Sequence, residues 1–141
     1  MNVILGADID GFRLKEHLKK HLTNLGYKVI DKTPEKTMNF IEASTLVSKA
    51  TLNGEGRGIV IDQYGVGSFI VANKHKGIIC AQVFDEHSAR MTRDHNNTSV
   101  ITIGSGIVGD TLAERLVEVF LNSEYSGGRH QIRVDMLNKM C

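Results

Sequence analysis

Four residues in the second half of the chain carry side chains suited to hydroxyl and phosphate groups. His95 and Asn96 end a predicted helix, where an imidazole can exchange protons and an amide can hydrogen-bond hydroxyl groups. Arg129 and Arg133 are four residues apart, so they share one face of another predicted helix. Two guanidinium groups on one face suit a phosphate monoester, because each can bind it through paired hydrogen bonds. A helix cap and a solvated helix face remain the ordinary explanations for these two pairs.

Two glycine-rich loops are further candidates for ligand binding. The segment from Asp62 to Ser68 follows a predicted strand and opens a helix, and its free amides favour an anion or a developing oxyanion. It lacks the lysine of a nucleotide-binding phosphate loop, so a turn without a ligand fits about as well. Residues 104–109 match the pattern G-x-G-x-x-G, but no later strand presents the acidic residue that a dinucleotide site needs. We interpret this second loop as a tight turn that packs a helix closely against the sheet.

No metal site and no cofactor site is predicted. His17 and His21 are four residues apart but lack a third ligand at a suitable spacing, which favours a helix flank or a subunit contact. Cys80 lies within a predicted strand and fits a small core residue, whereas Cys141 is terminal. Because the chain shows no secretory features, both cysteines are expected to be reduced thiols.

The composition argues against several classes of protein. With 17 basic and 16 acidic side chains, the chain has no net field to attract nucleic acid or a membrane surface. No apolar run reaches the length of a membrane span, and the first residues lack the layout of a signal peptide. A cytoplasmic protein is therefore expected.

Strands and helices alternate along nearly the whole sequence, and they must position the polar residues. Strands are predicted at residues 3–5, 27–30, 58–61, 78–83 and 100–103, and helices at about 11–25, 40–52, 86–95, 109–121 and 129–140, with a short one ending near 74. Asn39 is predicted to cap the second helix. This alternation predicts an α/β fold, a Rossmann-like three-layer sandwich around a five-stranded parallel sheet, with ligands beyond the carboxyl ends of the strands. Residues 1–141 are expected to form one domain, whose C-terminal helix at about 127–141 follows a Gly-Gly hinge and packs on a neighbouring subunit.

Five segments together resemble the ribose-5-phosphate isomerase B and galactose-6-phosphate isomerase family along almost the whole chain. The segments are residues 6–15 (GADIDGFRLK), 65–67 (GVG), 72–74 (ANK), 95–97 (HNN) and 127–134 (GGRHQIRV). The resemblance implies an aldose–ketose isomerase that needs neither metal nor cofactor, with active sites at subunit interfaces. It also implies that the sugar ring is opened and that a base moves a proton between C2 and C1 through a cis-enediolate.

The resemblance assigns roles to the four polar residues. His95 would help to open the sugar ring, and Asn96 would hold a hydroxyl group or the enediolate. Arg129 and Arg133 would clamp the phosphate. The C-terminal segment 128–141 is most similar to the galactose-6-phosphate isomerases of the family, which interconvert D-galactose 6-phosphate and D-tagatose 6-phosphate with two related subunits, an A-type and a B-type subunit.

The chain departs from the family pattern at one group of positions. These are Ile9 (for histidine), Asp62 (for a catalytic cysteine), Tyr64 (for a threonine or serine that assists ring opening), Ser68 (for the glutamate of other members) and Gly106 (for an arginine). We therefore predict that this chain is active only with a partner, the B-type subunit of galactose-6-phosphate isomerase, which supplies the catalytic base. Two alternatives remain open: a self-sufficient isomerase with Asp62 as its base, and a non-catalytic scaffold that binds sugar phosphates.

Overall fold

A five-stranded parallel sheet forms the centre of the molecule. The computed structural model describes residues 1–141. The strands are β1 (Asn2–Ala7), β2 (Lys28–Asp31), β3 (Arg57–Asp62), β4 (Cys80–Gln82) and β5 (Val100–Gly104). They lie in the order β2-β1-β3-β5-β4, and every neighbouring pair is parallel. The predicted Rossmann-like α/β fold is confirmed.

The chain forms six helices, five of which cover the two faces of the sheet. The six helices are α1 (Phe12–Asn24), α2 (Phe40–Leu52), α3 (Val66–Asn73), α4 (Glu86–Asn96), α5 (Asp110–Asn122) and α6 (Gln131–Lys139). Helices α1, α4 and α5 pack side by side on one face, and α2 packs against α3 on the other. None of the six combines the length and the apolar character that crossing a bilayer requires.

Alternating side chains along the strands divide the core into two parts. On β3, Ile59 and Ile61 join the larger cluster beneath α1, α4 and α5, whereas Val60 joins the smaller cluster beneath α2 and α3. All three are fully buried. A strand that is covered on both faces needs apolar residues at consecutive positions, which explains the unbroken apolar run in this segment.

The two edge strands are short, and a side chain occupies backbone groups on the free side of β4. The strand predicted at residues 78–83 is reduced to Cys80–Gln82, which pairs only with β5. On its free side, the Asn73 side chain accepts a hydrogen bond from the Cys80 amide (2.9 Å) and donates one to the Cys80 carbonyl (3.0 Å). The opposite edge strand, β2, has four residues and begins at the exposed Lys28.

Two helix starts show how local chemistry sets the boundaries. The prediction for α2 is confirmed, since the Asn39 side chain accepts a hydrogen bond from the Glu42 amide at 2.9 Å. Helix α6 begins at Gln131, later than predicted, because Gly128–His130 form a 3₁₀ turn ahead of it.

The topology places the polar residues at two opposite edges of the sheet. Because all strands are parallel, the loops after β1 and β3 meet at the carboxyl edge, where the strand order diverges. Helix α4 runs back along the sheet, so its last residues, His95 and Asn96, lie at the amino edge, where β5 begins. Strand β5 has five residues, so the two edges are about 15 Å apart.

Candidate functional site

The amino edge carries His95 and Asn96 on a turn that is held by hydrogen bonds from the buried Arg93. Asn97 caps the end of helix α4 and is the one non-glycine residue with a positive φ (52°). The buried Arg93 donates hydrogen bonds from Nη1 to Asn97 Oδ1 (3.0 Å) and to the Thr98 carbonyl (2.7 Å). Burial, together with the charge of Arg57, lowers the pKa of Arg93 to about 10. His95 is half-buried and Asn96 is exposed, so both side chains are presented at the surface.

The chain after α5 folds back onto this turn. The backbone amide and the hydroxyl of Ser126 both donate to the Asp94 carbonyl, at 3.1 and 3.0 Å. Gly127 and Gly128 then adopt left-handed φ values of 65° and 56°, which residues with a Cβ rarely adopt. The sequence predicted a hinge here, and the structure forms a defined turn that leads the chain back over α4.

The folded-back segment brings a second imidazole and two guanidinium groups to His95. The rings of His95 and His130 stack with centroids 4.4 Å apart and planes inclined by 17°. Loss of hydration, followed by the charges of His95 and Arg129, lowers the pKa of His130. Arg129 and Arg133 are exposed on the same segment, and Arg133 Nη1 contacts the Arg129 carbonyl at 3.4 Å. We call His95, Asn96, Arg129, His130 and Arg133 the amino-edge cluster.

The carboxyl edge is built differently, because Asp62 is already engaged. Its side chain is buried, and its two oxygens accept hydrogen bonds from the amides of Gly65 and Ser68 (3.1 Å for Ser68). A carboxylate at the start of α3 thereby satisfies amides that have no partner within the helix. The same amides cannot also hold an incoming anion or oxyanion.

Two departures from the family pattern, Tyr64 and Gly106, are in contact with one another. A Cβ built on Gly106 would lie 3.0 Å from the Gln63 carbonyl oxygen and 3.3 Å from Tyr64 Cε1. A Cβ on Gly104 would lie only 2.6 Å from the Tyr64 carbonyl carbon. The loop after β5 therefore packs directly on the loop after β3. The close approach is made by Gly104 and Gly106, whereas a Cβ on Gly109, at the start of α5, would have nothing within 4 Å. The glycines of residues 104–109 thus serve contact between loops and not close packing of a helix on the sheet.

Asp8 completes the carboxyl edge. Its carboxylate accepts a hydrogen bond from the Gly11 amide at 2.9 Å. Burial, and to a smaller extent the negative charge of Asp62, raises the pKa of Asp8. The carboxyl edge thus holds acidic groups and no arginine or histidine side chain from the predicted set.

The remaining sequence candidates have structural partners. His17 and His21 on α1 bond to Glu114 and Glu118 on α5, each at 2.6 Å, which is the helix-flank interpretation. Cys80 is buried, which raises the pKa of its thiol, as expected of a core residue.

Sequence reasoning missed three contributors to the amino edge: Arg93, Ser126 and His130. Arg93 and Asn97 are four residues apart, a spacing that could have indicated the hydrogen bond between their side chains. His130 lies inside the segment that carries the family resemblance, but its contact with His95 depends on the fold of the tail.

Known proteins are similar to this chain over its full length. Residues 3–137 match the sequence pattern of the Ribose/Galactose Isomerase family. The chain is 57% identical over 141 residues to galactose-6-phosphate isomerase subunit LacA of Clostridium acetobutylicum, covering 99% of each chain. It is 54% identical over 142 residues to the subunit of that name in Staphylococcus epidermidis, covering 100% of both.

Solved structures show the same fold. Ribose-5-phosphate isomerase B of Clostridium thermocellum matches with a TM-score of 0.94 and 35% identity, over 98% of this chain and 95% of that one. The enzyme of Mycoplasma genitalium, solved with bound ribulose-5-phosphate, matches with a TM-score of 0.91 and 32% identity, over 97% and 93% of the chains. The sequence, the fold and these likenesses together show that the chain belongs to the ribose/galactose isomerase family.

Proposed function

We propose that this chain is the non-basic subunit of a hetero-oligomeric galactose-6-phosphate isomerase. It would interconvert D-galactose 6-phosphate and D-tagatose 6-phosphate together with the related B-type subunit. The observation that carries the proposal is the division of the candidate residues between two edges of one sheet. His95, Asn96, Arg129 and Arg133 all lie at the amino edge, where their side chains are accessible to a sugar phosphate, whereas Asp62 at the carboxyl edge is buried and hydrogen-bonded.

The separation of the edges explains why a partner is needed. Groups that act on one substrate must approach it to within about 3 Å, and the two edges of this chain are about 15 Å apart. A complete site therefore combines the amino-edge cluster of this chain with the carboxyl edge of a neighbour. In that arrangement the substrate is bound by four residues of this chain, His95, Asn96, Arg129 and Arg133, and its proton is moved by a base of the B-type subunit.

The chemistry follows from the groups at the amino edge. Arg129 and Arg133 bind the phosphate, whose charge complements the two guanidinium groups. His95 donates a proton to the ring oxygen while the anomeric hydroxyl gives one to water, which opens the ring and frees the carbonyl. Asn96 then holds a hydroxyl group of the open chain. The base of the B-type subunit takes the proton from C2 and returns it to C1, while the proton on O2 is transferred to O1. Proton transfer through a cis-enediolate requires neither a metal nor a cofactor.

The state of Asp62 argues against the self-sufficient alternative. Both of its oxygens accept backbone hydrogen bonds, so protonating it would weaken the cap of α3. A general base needs a lone pair aimed at the substrate proton. Asp62 is therefore interpreted as a structural replacement for the catalytic group of other members.

The exposed face of α6 supports contact with a neighbouring subunit. Val134 is its one buried residue, whereas Ile132, Met136 and Met140 are 71%, 62% and 64% exposed at the end of the chain. Apolar side chains at this density mark surfaces that are covered in an assembly. We propose that this helix packs on the partner, next to the site that its arginines complete.

The experiment is to assay the chain alone, the B-type subunit alone, and the co-purified complex of the two. We expect no measurable isomerisation by this chain, and full activity from the complex. A complex of the wild-type B-type subunit with His95→Ala in this chain should lose activity, because His95 opens the sugar ring before the partner's base acts. Robust turnover by the purified chain would refute the proposal, and sugar-phosphate binding without turnover by any complex would favour the scaffold.

A further inference from the structure

We propose that His130 is a positioning residue for His95, the second ring of a stacked pair that fixes how His95 faces the substrate. The catalytic consequence of this inference rests on the proposed function, whereas the stacked geometry does not.

The first support is geometric. With centroids 4.4 Å apart and planes 17° from parallel, the two rings are in face-to-face contact. A stacked neighbour blocks rotation of the His95 ring about its terminal torsion, which is otherwise broad for an imidazole. His95 is thereby restricted to orientations in the plane that the stack defines.

The second support is the way in which His130 is held. Its 3₁₀ turn is closed by a hydrogen bond from the His130 amide to the Gly127 carbonyl at 3.1 Å. Immediately before this turn, Ser126 makes its two hydrogen bonds to Asp94, the residue next to His95. Both rings are therefore anchored to the end of α4, one directly and one through Ser126.

The third support is the charge around the stacked rings. The groups that act on His130 are His95 and Asp94 from α4, and Arg129 and Arg133 from the tail, so one carboxylate faces two guanidinium groups. At this distance, a positive charge on one ring weakens the binding of a proton to the other ring by about fivefold, even in bulk water. The arginines add to that effect, so the surroundings disfavour a second positive charge in the stack.

The charge state of His130 has a consequence for its role. Loss of hydration lowers the pKa of His130, which favours its neutral form. A neutral ring provides the stack without adding a third fixed charge beside the phosphate, so His130 is better suited to positioning His95 than to binding the anion.

The alternative is that His130 is a third phosphate ligand, and the kinetic constants separate the two roles. In the complex with the B-type subunit, His130→Ala should lower kcat by about tenfold with little change in KM, because a positioned acid is lost and the phosphate clamp is kept. His130→Phe keeps a stacking ring, so kcat should stay within about threefold of wild type. Gln131→Ala, an adjacent exposed change, serves as the control. A rise in KM without loss of kcat in both His130 variants would overturn the positioning role.

A second readout needs no activity. In the isolated chain, the ring-proton resonances of His95 followed by NMR should shift in His130→Ala, because the ring current of the stacked neighbour is lost. Unchanged His95 resonances in that variant would overturn the stack. If the wild-type complex itself shows no isomerase activity, the proposed function fails, and the NMR spectra still decide whether the two rings are in contact.

Discussion

The two roles considered for Asp62, a helix cap and a catalytic base, can be separated by removing its carboxylate. Asp62→Ala leaves the buried amides of Gly65 and Ser68 without their acceptor at the start of α3. Loss of a cap costs about 0.5–2 kcal/mol, and each buried amide left unpaired costs about 1–3 kcal/mol. Because these values describe the same bonds, and water can reach part of the loop, we expect a loss of about 2–4 kcal/mol in the free energy of unfolding. For a domain of this size, the melting temperature should fall by about 6–14 °C.

The matched variant is Asp62→Asn, which keeps one oxygen acceptor for the helix start and removes any base. If Asp62 is a cap, Asp62→Asn should lose less stability than Asp62→Ala. The kcat and KM of its complex with the B-type subunit should then stay within about twofold of wild type. A catalytic base predicts a loss of about 10²–10⁴-fold in rate with either variant. The measurements are thermal unfolding of the isolated chain by circular dichroism and steady-state kinetics of the complex below the melting range. A hundredfold loss of activity in Asp62→Asn, at unchanged assembly, would refute the assignment of Asp62 as a cap.

Three further predictions concern the two edges of the sheet. Arg129→Ala and Arg133→Ala should each raise KM of the complex by about tenfold or more with assembly intact, and the lysine variants should recover only part of the loss, because an ammonium lacks the two-pronged geometry. Exhaustive chelation should leave the activity of the complex unchanged, whereas a loss that a divalent ion restores would contradict the proposed chemistry. Asp8→Asn should stabilise the chain at pH 7, because burial and the charge of Asp62 raise the pKa of Asp8 and thereby disfavour its charged form in the folded state. Since wild type itself gains stability as pH falls through that raised pKa, the difference in melting temperature between the two proteins should shrink towards pH 3.8, and a constant difference would show another cause.

Much of the fold follows from patterns that are local in the sequence. The apolar run at Ile59–Ile61 and the helical spacing of Leu14, Leu18 and Leu22 predict their elements because burial requires those periods. The cap at Asn39 was predictable for a similar reason, since the side chain and the amide that it accepts from are three residues apart. Strand β4 was predicted too long, because the pattern of apolar residues cannot show that the Ile78 amide bonds to the His75 carbonyl (3.0 Å) in the turn after α3.

The arrangement of the candidate site depends on contacts that are distant in the sequence. Ser126 reaches a carbonyl 32 residues earlier, and this contact brings His130 to His95. The residues themselves were predictable as polar groups with a family resemblance, but their shared location was not. The role of Asp62 was equally hidden, because a carboxylate after a strand can face solvent, a substrate or the next helix, and the left-handed Gly65 turns the helix start towards it.

The blocked edge at β4 has a consequence for how subunits recognise one another. An open strand edge attracts any other extended chain, since backbone groups pair without regard to side chains. Asn73 occupies the backbone groups of Cys80 on that side, and β2 ends the sheet at the other. At the β4 edge a neighbouring chain therefore meets side chains before backbone. Side-chain contacts can change by substitution without disturbing the sheet, so the specificity of subunit contacts at this edge can evolve independently of the fold.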